Sequence, residues 1–248
     1  MARIGGKVAL VTGAAAGIGQ AIARRFAEEG AQVVAVDLRG FEGAHATAVG
    51  FDGGVETCSC DVSDPLAVQA LLEHVEQRYG RLDVLVNNAG IGPRQPVPTH
   101  AVTLEDWDRV ISVNQRGAFL MMKHALTLMM TSGSGSIINI ASVGAFTATR
   151  NSIAYLASKG ALLMMTKAAA LEYREHRIRV NAICPGMTRT SIFDNVSEQG
   201  LAELLARTSA RMIEPDEVAS LALFLASDES AGITGATQVI DDGRTAGA

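Results

Sequence analysis

The chain has 248 residues, 48% of them apolar and 19% charged, enough to bury one sizeable core and too evenly mixed for a disordered segment or a set of membrane spans. Its formal charge of −5 supplies no extended positive field, which counts against nucleic acid and anionic membrane surfaces as partners and favours a small molecule. Three cysteines, Cys58, Cys60 and Cys184, form no metal-ligand pattern, so no metal is expected and free thiols in a reducing, cytoplasmic setting are.

Arg3 and Lys7 precede an apolar stretch over 8–23 that superficially resembles a secretory leader. Gly13, Gly17 and Gly19 interrupt it at turn spacings, and Arg24 and Arg25 stand where a cleavage site needs small residues. The stretch reads instead as a strand over 8–11, a glycine turn and a helix over 17–29.

Short β-branched runs follow at 33–36, 84–86, 137–140, 178–183 and 238–240, each with the character of a buried strand. Between most of them lies helical periodicity, over 65–79, 104–130, 153–173 and 215–225. Pro65 and Pro215 open two of these helices, because proline at the first helical position gives up a donor that is unpaired anyway. The alternation implies βαβ units and a parallel sheet in the α/β class. No linker-like composition and no internal repeat interrupts 1–248, which predicts a single domain.

The segment Thr12-Gly13-x3-Gly17-Ile18-Gly19 joins the first strand to the first helix. Glycines there let backbone approach a pyrophosphate, and the helix N-terminus offers unpaired N–H groups to it. The spacing differs from the commoner G-x-G-x2-G, so a second signal is needed. Asp37 supplies it: it ends the second strand, where a carboxylate accepts both ribose hydroxyls of an adenosine and repels a 2′-phosphate. With Ala16 in the turn offering no cation, NAD is favoured over NADP; Arg39 reads as a solvated loop charge.

In order and spacing, the glycine turn, Asp61-Val62, Asn87-Asn88-Ala89-Gly90, Asn114, Ser142, Tyr155-x3-Lys159 and Pro185-Gly186 resemble the short-chain dehydrogenase/reductase superfamily in its compact form. The resemblance covers nearly the whole chain. It implies a doubly wound Rossmann fold, a mostly seven-stranded parallel sheet with helices on both faces, and hydride transfer between a nicotinamide and a secondary alcohol or ketone.

The resemblance also assigns roles. Tyr155 becomes the general acid/base, Lys159 its electrostatic helper and a ligand of the nicotinamide ribose, and Ser142 the holder of the substrate oxygen. Asn114 distorts its helix and supports a water in the proton relay. Four residues apart on a helix, Tyr155 and Lys159 face the same way. A phenol with a pKa near 10 needs roughly three units, about 4 kcal/mol, of help to work at neutrality, and a neighbouring ammonium favours the phenolate.

Asp61 likewise ends a strand and resembles the contact to adenine, with Val62 beside it. Asn87 is implied to be structural, while Asn88, Ala89 and Gly90 border the adenosine. Pro185, Gly186, Thr188 and Thr190 complete the cofactor set, and 187–213 corresponds to a substrate lid. Arg94, Arg150 and Arg189 border the implied cleft and would suit an anionic substrate, though each alone reads as a solvated loop arginine. Trp107 and the methionine pairs 121–122, 129–130 and 164–165 read as packing residues.

Two enzyme readings and two others compete. The second enzyme is a 3-oxoacyl-thioester reductase using NADPH, which Asp37 counts against. A non-catalytic dinucleotide sensor would not need Ser142, Tyr155 and Lys159, and a scaffold would not need Asp37 either. Apolar residues on more than one face of the helices over 104–130 and 153–173, with the family's habit, suggest a homotetramer with the tail 241–248 near an interface. That tail reads Ile240-Asp241-Asp242-Gly243, where the family more usually has Asp-Gly-Gly.

Overall fold

Seven parallel strands form one sheet in the order β3-β2-β1-β4-β5-β6-β7. The computed structural model describes residues 2–38, 41, 54–190, 199 and 211–247. The strands are β1 (Val8–Thr12), β2 (Gln32–Asp37), β3 (Val55–Ser59), β4 (Val84–Asn87), β5 (Gly135–Ile140), β6 (Ile178–Pro185) and β7 (Thr237–Ile240). Six of them coincide with the apolar runs. The third has no such run, because β3 lies at the sheet edge and keeps alternate side chains in solvent, which lets Glu56 and Thr57 replace aliphatic residues.

Among the described residues the α-helices are α1 (Gly17–Glu28), α2 (Pro65–Tyr79), α3 (Leu104–Ile111), α4 (Ala118–Ser132), α5 (Ile153–Tyr173) and α6 (Pro215–Ala226). Helices α1 and α6 cover one face through Ile22, Phe26, Val218 and Leu223; α2, α4 and α5 cover the other through Leu72, Val75, Met121, Met129 and Ala169. The expected proline starts are present. Asp64 caps α2 ahead of Pro65, and Glu214 and Glu217 form a capping box around Pro215.

The helix expected over 104–130 is two helices joined by a π-turn, Ser112–Gly117. Periodicity misses this because a π-turn inserts a residue without interrupting the apolar pattern. Met164 departs from the packing expectation too: 63% of it is exposed.

Three buried polar side chains cross the core in a row. Asn87 Nδ2 donates to Asn139 Oδ1 at 2.9 Å, and Asn139 Nδ2 donates to Thr166 Oγ1 at 2.9 Å, joining β4, β5 and α5. Strand order reverses direction between β1 and β4, and at such a switch point the loops leaving the strands diverge to open a crevice at their carboxyl ends.

Candidate active site

The crevice is a cleft of about 550 Å³ running from Asp37 past the glycine turn to Ser142, Tyr155 and the segment after β6. Its first part is built on Thr12, whose hydroxyl accepts the N–H groups of Asn88 and Ala89, each at 3.0 Å. Asn88 returns the contact, its Nδ2 donating to the carbonyls of Thr12 and Gly13 at 3.0 Å. Gly13 sits at φ 65°, and a Cβ there would lie 2.9 Å from both Asn88 Nδ2 and Ala89 Cα. Sequence pattern does not mark Thr12 as a site residue, because its hydroxyl's role depends on β1 and β4 being neighbours.

Helix α1 begins without a side-chain cap, unlike α2 with Asp64 and α3 with Thr103. Its first-turn N–H groups, at Gly17 and Ile18, border the cleft, an arrangement suited to a phosphate. Asp37 Oδ2 accepts the Ala15 N–H at 3.1 Å, which holds the carboxylate beside the turn. These features fit a dinucleotide: an uncapped helix end, a close glycine approach and a carboxylate at the end of β2.

Gly13, Gly17, Ile18, Asp37, Asn88, Ala89, Gly90, Pro185, Gly186, Thr188 and Thr190 all line this cleft. Gly19, Asp61 and Val62 do not. Gly19 lies under the turn, where a Cβ would stand 2.1 Å from the Gly13 carbonyl oxygen. Asp61 Oδ1 accepts the N–H and O–H of Ser63, and the buried Val62 packs on Gly117 of the π-turn. Arg39 and most of the expected lid, 191–198 and 200–210, lie outside the described residues.

In the second part, Ser142 leaves β5 and accepts the Gly144 N–H at 3.0 Å, while Tyr155 and Lys159 project from the start of α5. Burial pushes the Tyr155 phenol above its ordinary pKa, and a hydrogen bond with Ser142 pulls it back. The expected lowering by Lys159 is therefore not the prevailing effect among the protein's own groups. The Lys159 ammonium stands 5.8 Å from the centre of the Tyr155 ring and donates to the Ile140 carbonyl at 2.7 Å. Its own burial brings it down to about 8.

Asn114 is buried in the π-turn. Its Oδ1 accepts the Ile91 N–H at 2.8 Å, and its Nδ2 donates to the Ile91 carbonyl at 2.9 Å and to Ser158 Oγ at 3.1 Å. A Cβ on Gly90 would come within 3.4 Å of Lys159 Nζ and 3.5 Å of Asn114 Oδ1, so these groups converge around Gly90. Chemically, the arrangement can hold a substrate oxygen between Ser142 and Tyr155 and move its proton towards Lys159.

The arginines expected at the cleft are otherwise engaged. Arg94 pairs with Glu105 at 2.6 Å and Arg189 with Glu214 at 2.9 Å, and Arg150 borders an adjoining hollow with Pro98 and Thr99. Arg244, not anticipated from sequence, lines the cleft. Glu56, Cys58 and His74 bring ligand-type atoms within 4.8 Å of one another at the β3 edge, away from the cleft, with the carboxylate held by His74 and Tyr79 at 2.7 Å each.

A family model described as enoyl-(acyl carrier protein) reductase matches residues 13–245. The chain is 42% identical to D-threitol dehydrogenase of Mycolicibacterium smegmatis over 98% of its own length and 94% of the relative's. It is 40% identical to the 3-oxoacyl-[acyl-carrier-protein] reductase FabG of Thermotoga maritima over 97% and 98%. The crystal structure of levodione reductase superposes with a TM-score of 0.92 at 33% identity, covering 99% of this chain and all of that one.

Proposed function

The chain belongs to the short-chain dehydrogenase/reductase superfamily and is an oxidoreductase acting on CH–OH groups through a nicotinamide dinucleotide, and from that premise we propose that its cofactor is NAD and that Tyr155 is the general acid/base. Ser142 positions the substrate oxygen, Tyr155 takes the hydroxyl proton in oxidation or returns it in reduction, and Lys159 passes charge onward past Asn114. When bound, the dinucleotide accepts or donates the hydride. On this reading residues 1–248 act as one cofactor-binding and catalytic domain.

The observation that carries the NAD reading is Asp37, held at the end of β2 by the Ala15 N–H in the cleft that also contains Tyr155. Its carboxylate suits free ribose hydroxyls and opposes a 2′-phosphate. The thioester reductase reading has support from the T. maritima relative; the same carboxylate disfavours NADPH in it. Absorbance of NADH formed from a panel of secondary alcohols, run beside NADP, tests the reading: higher kcat/KM with NADP would overturn it.

The substrate is a small secondary alcohol or its ketone. A homotetramer is supported by apolar residues left in solvent on α4 and α5, Phe119, Met164 and Leu171. Light scattering during gel filtration measures it. Cytoplasmic residence is supported by the three free cysteines; no helix among the described residues is long and apolar enough to cross a membrane.

A further inference from the structure

The tail after β7 is a built turn. Buried Asp241 accepts the N–H of Gly243 at 3.0 Å and the N–H and O–H of Thr245 at 2.8 and 2.7 Å, and its own carbonyl accepts the Arg244 N–H at 3.2 Å. The turn is seated against Gly186, where a Cβ would meet Asp241 Cα at 2.9 Å. This curl carries Arg244 into the wall of the cleft, half-buried.

The residue before Gly243 explains why Arg244 stays uncommitted. Asp242 has φ 56°, a left-handed conformation that aspartate tolerates at a cost. Its carboxylate accepts the Arg211 N–H at 3.0 Å and faces the Arg211 guanidinium at 3.4 Å. The acid adjacent in sequence is thus engaged by another cation, and among the described residues the Arg244 guanidinium has no carboxylate partner and no hydrogen bond.

Among the described residues three ionisable acid and base side chains, Asp37, Lys159 and Arg244, line the cleft besides Tyr155. Asp37 lies beside the glycine turn and Lys159 is hydrogen-bonded to Ile140, so among the described residues Arg244 is the cation of the cleft without a protein partner. A half-buried guanidinium without a counter-ion gains most from a planar anion that can take two of its N–H groups.

We propose that Arg244 binds the carboxylate of the substrate, making the preferred substrates hydroxy acids or the corresponding oxo acids. The proposal rests on the catalytic reading of Ser142, Tyr155 and Lys159. It concerns which alcohol they receive.

The test compares 3-hydroxybutyrate and 4-hydroxycyclohexanecarboxylate, each against its neutral amide, in the wild type, Arg244→Gln and Arg244→Lys. The wild type should favour at least one acid over its amide in kcat/KM by about tenfold or more; Arg244→Gln should erase that preference and Arg244→Lys keep part of it. Turnover of amides without any acid preference, or a preference that survives in Arg244→Gln, overturns the proposal. So does a matching loss of NADH affinity in Arg244→Gln, which would place the cation on the dinucleotide.

If no compound turns over, binding of the acids to the NADH-loaded protein, read by NADH fluorescence, decides. Acids held about tenfold tighter by the wild type than by Arg244→Gln support the anion site, and the failure then falls on the catalytic reading alone. Equal binding overturns the site.

Discussion

The Lys159 ammonium donates to the main-chain carbonyl of Ile140 at 2.7 Å, so the cation beside the Tyr155 ring is anchored to the last residue of β5. One hydrogen bond does not replace the water lost on burial, and the lysine accordingly sits at about 8 instead of 10.5.

That depression has a sign. Between about 8 and 10.5 the unfolded chain binds a proton that the folded protein has released, so stability contributed by this position rises with pH across the window; below about 8 the penalty is fully present. In urea unfolding, the wild type should gain roughly 2–3 kcal/mol on Lys159→Met between pH 7 and 10. A difference that stays flat with pH would show that Lys159 is not held this way.

Tyr155→Phe should lower kcat by a factor of about 10²–10⁴ while leaving NADH affinity nearly intact. Because burial raises the phenol, alcohol oxidation should climb with pH through the alkaline range and ketone reduction should decline. Substantial turnover by the phenylalanine variant would remove Tyr155 from the proton path.

Asp37→Ala removes the charge opposing a 2′-phosphate and should shift the NADPH-to-NADH ratio of kcat/KM towards NADPH by about tenfold or more. Steady-state rates with both cofactors give the ratio, and an unchanged value would mean that Asp37 does not choose between them.

Thr12→Val keeps the shape of the side chain and strips the acceptor from the N–H groups of Asn88 and Ala89. Each donor left without a partner costs about 1–3 kcal/mol, so unfolding should need visibly less urea and NADH should bind more weakly. Unaltered stability would show that those amides find another acceptor.

Much of this molecule is written in local pattern. The α2 and α5 boundaries follow from Pro65 and the periodicity of 65–79 and 153–173, and the cleft gathers residues marked by the glycine turn, by Asp37 and by the family resemblance, from Gly13 to Gly186. What local pattern does not carry depends on neighbours far along the chain. The edge strand β3 shows no apolar run, since half of it faces water. Asn114 of the π-turn is bonded to both backbone groups of Ile91, 23 residues away. Arg244 reaches the cleft only because Asp241 folds the tail back, and the three arginines that looked better placed meet Glu105, Glu214 or an adjoining hollow.

The buried row Asn87, Asn139 and Thr166 has a consequence for how the active centre is assembled. The paired middles of β4 and β5 are aliphatic, Leu85 and Val86 against Ile137 and Ile138, so greasy contacts alone would tolerate sliding one past the other by a pleat. Such a slide would pull Asn139 from opposite Asn87 and strand amide groups in the interior, at about 1–3 kcal/mol apiece. The polar row therefore works as an alignment key. It brings the two strand tips level, which puts Asn88 and Ser142, one from each, in the same mouth.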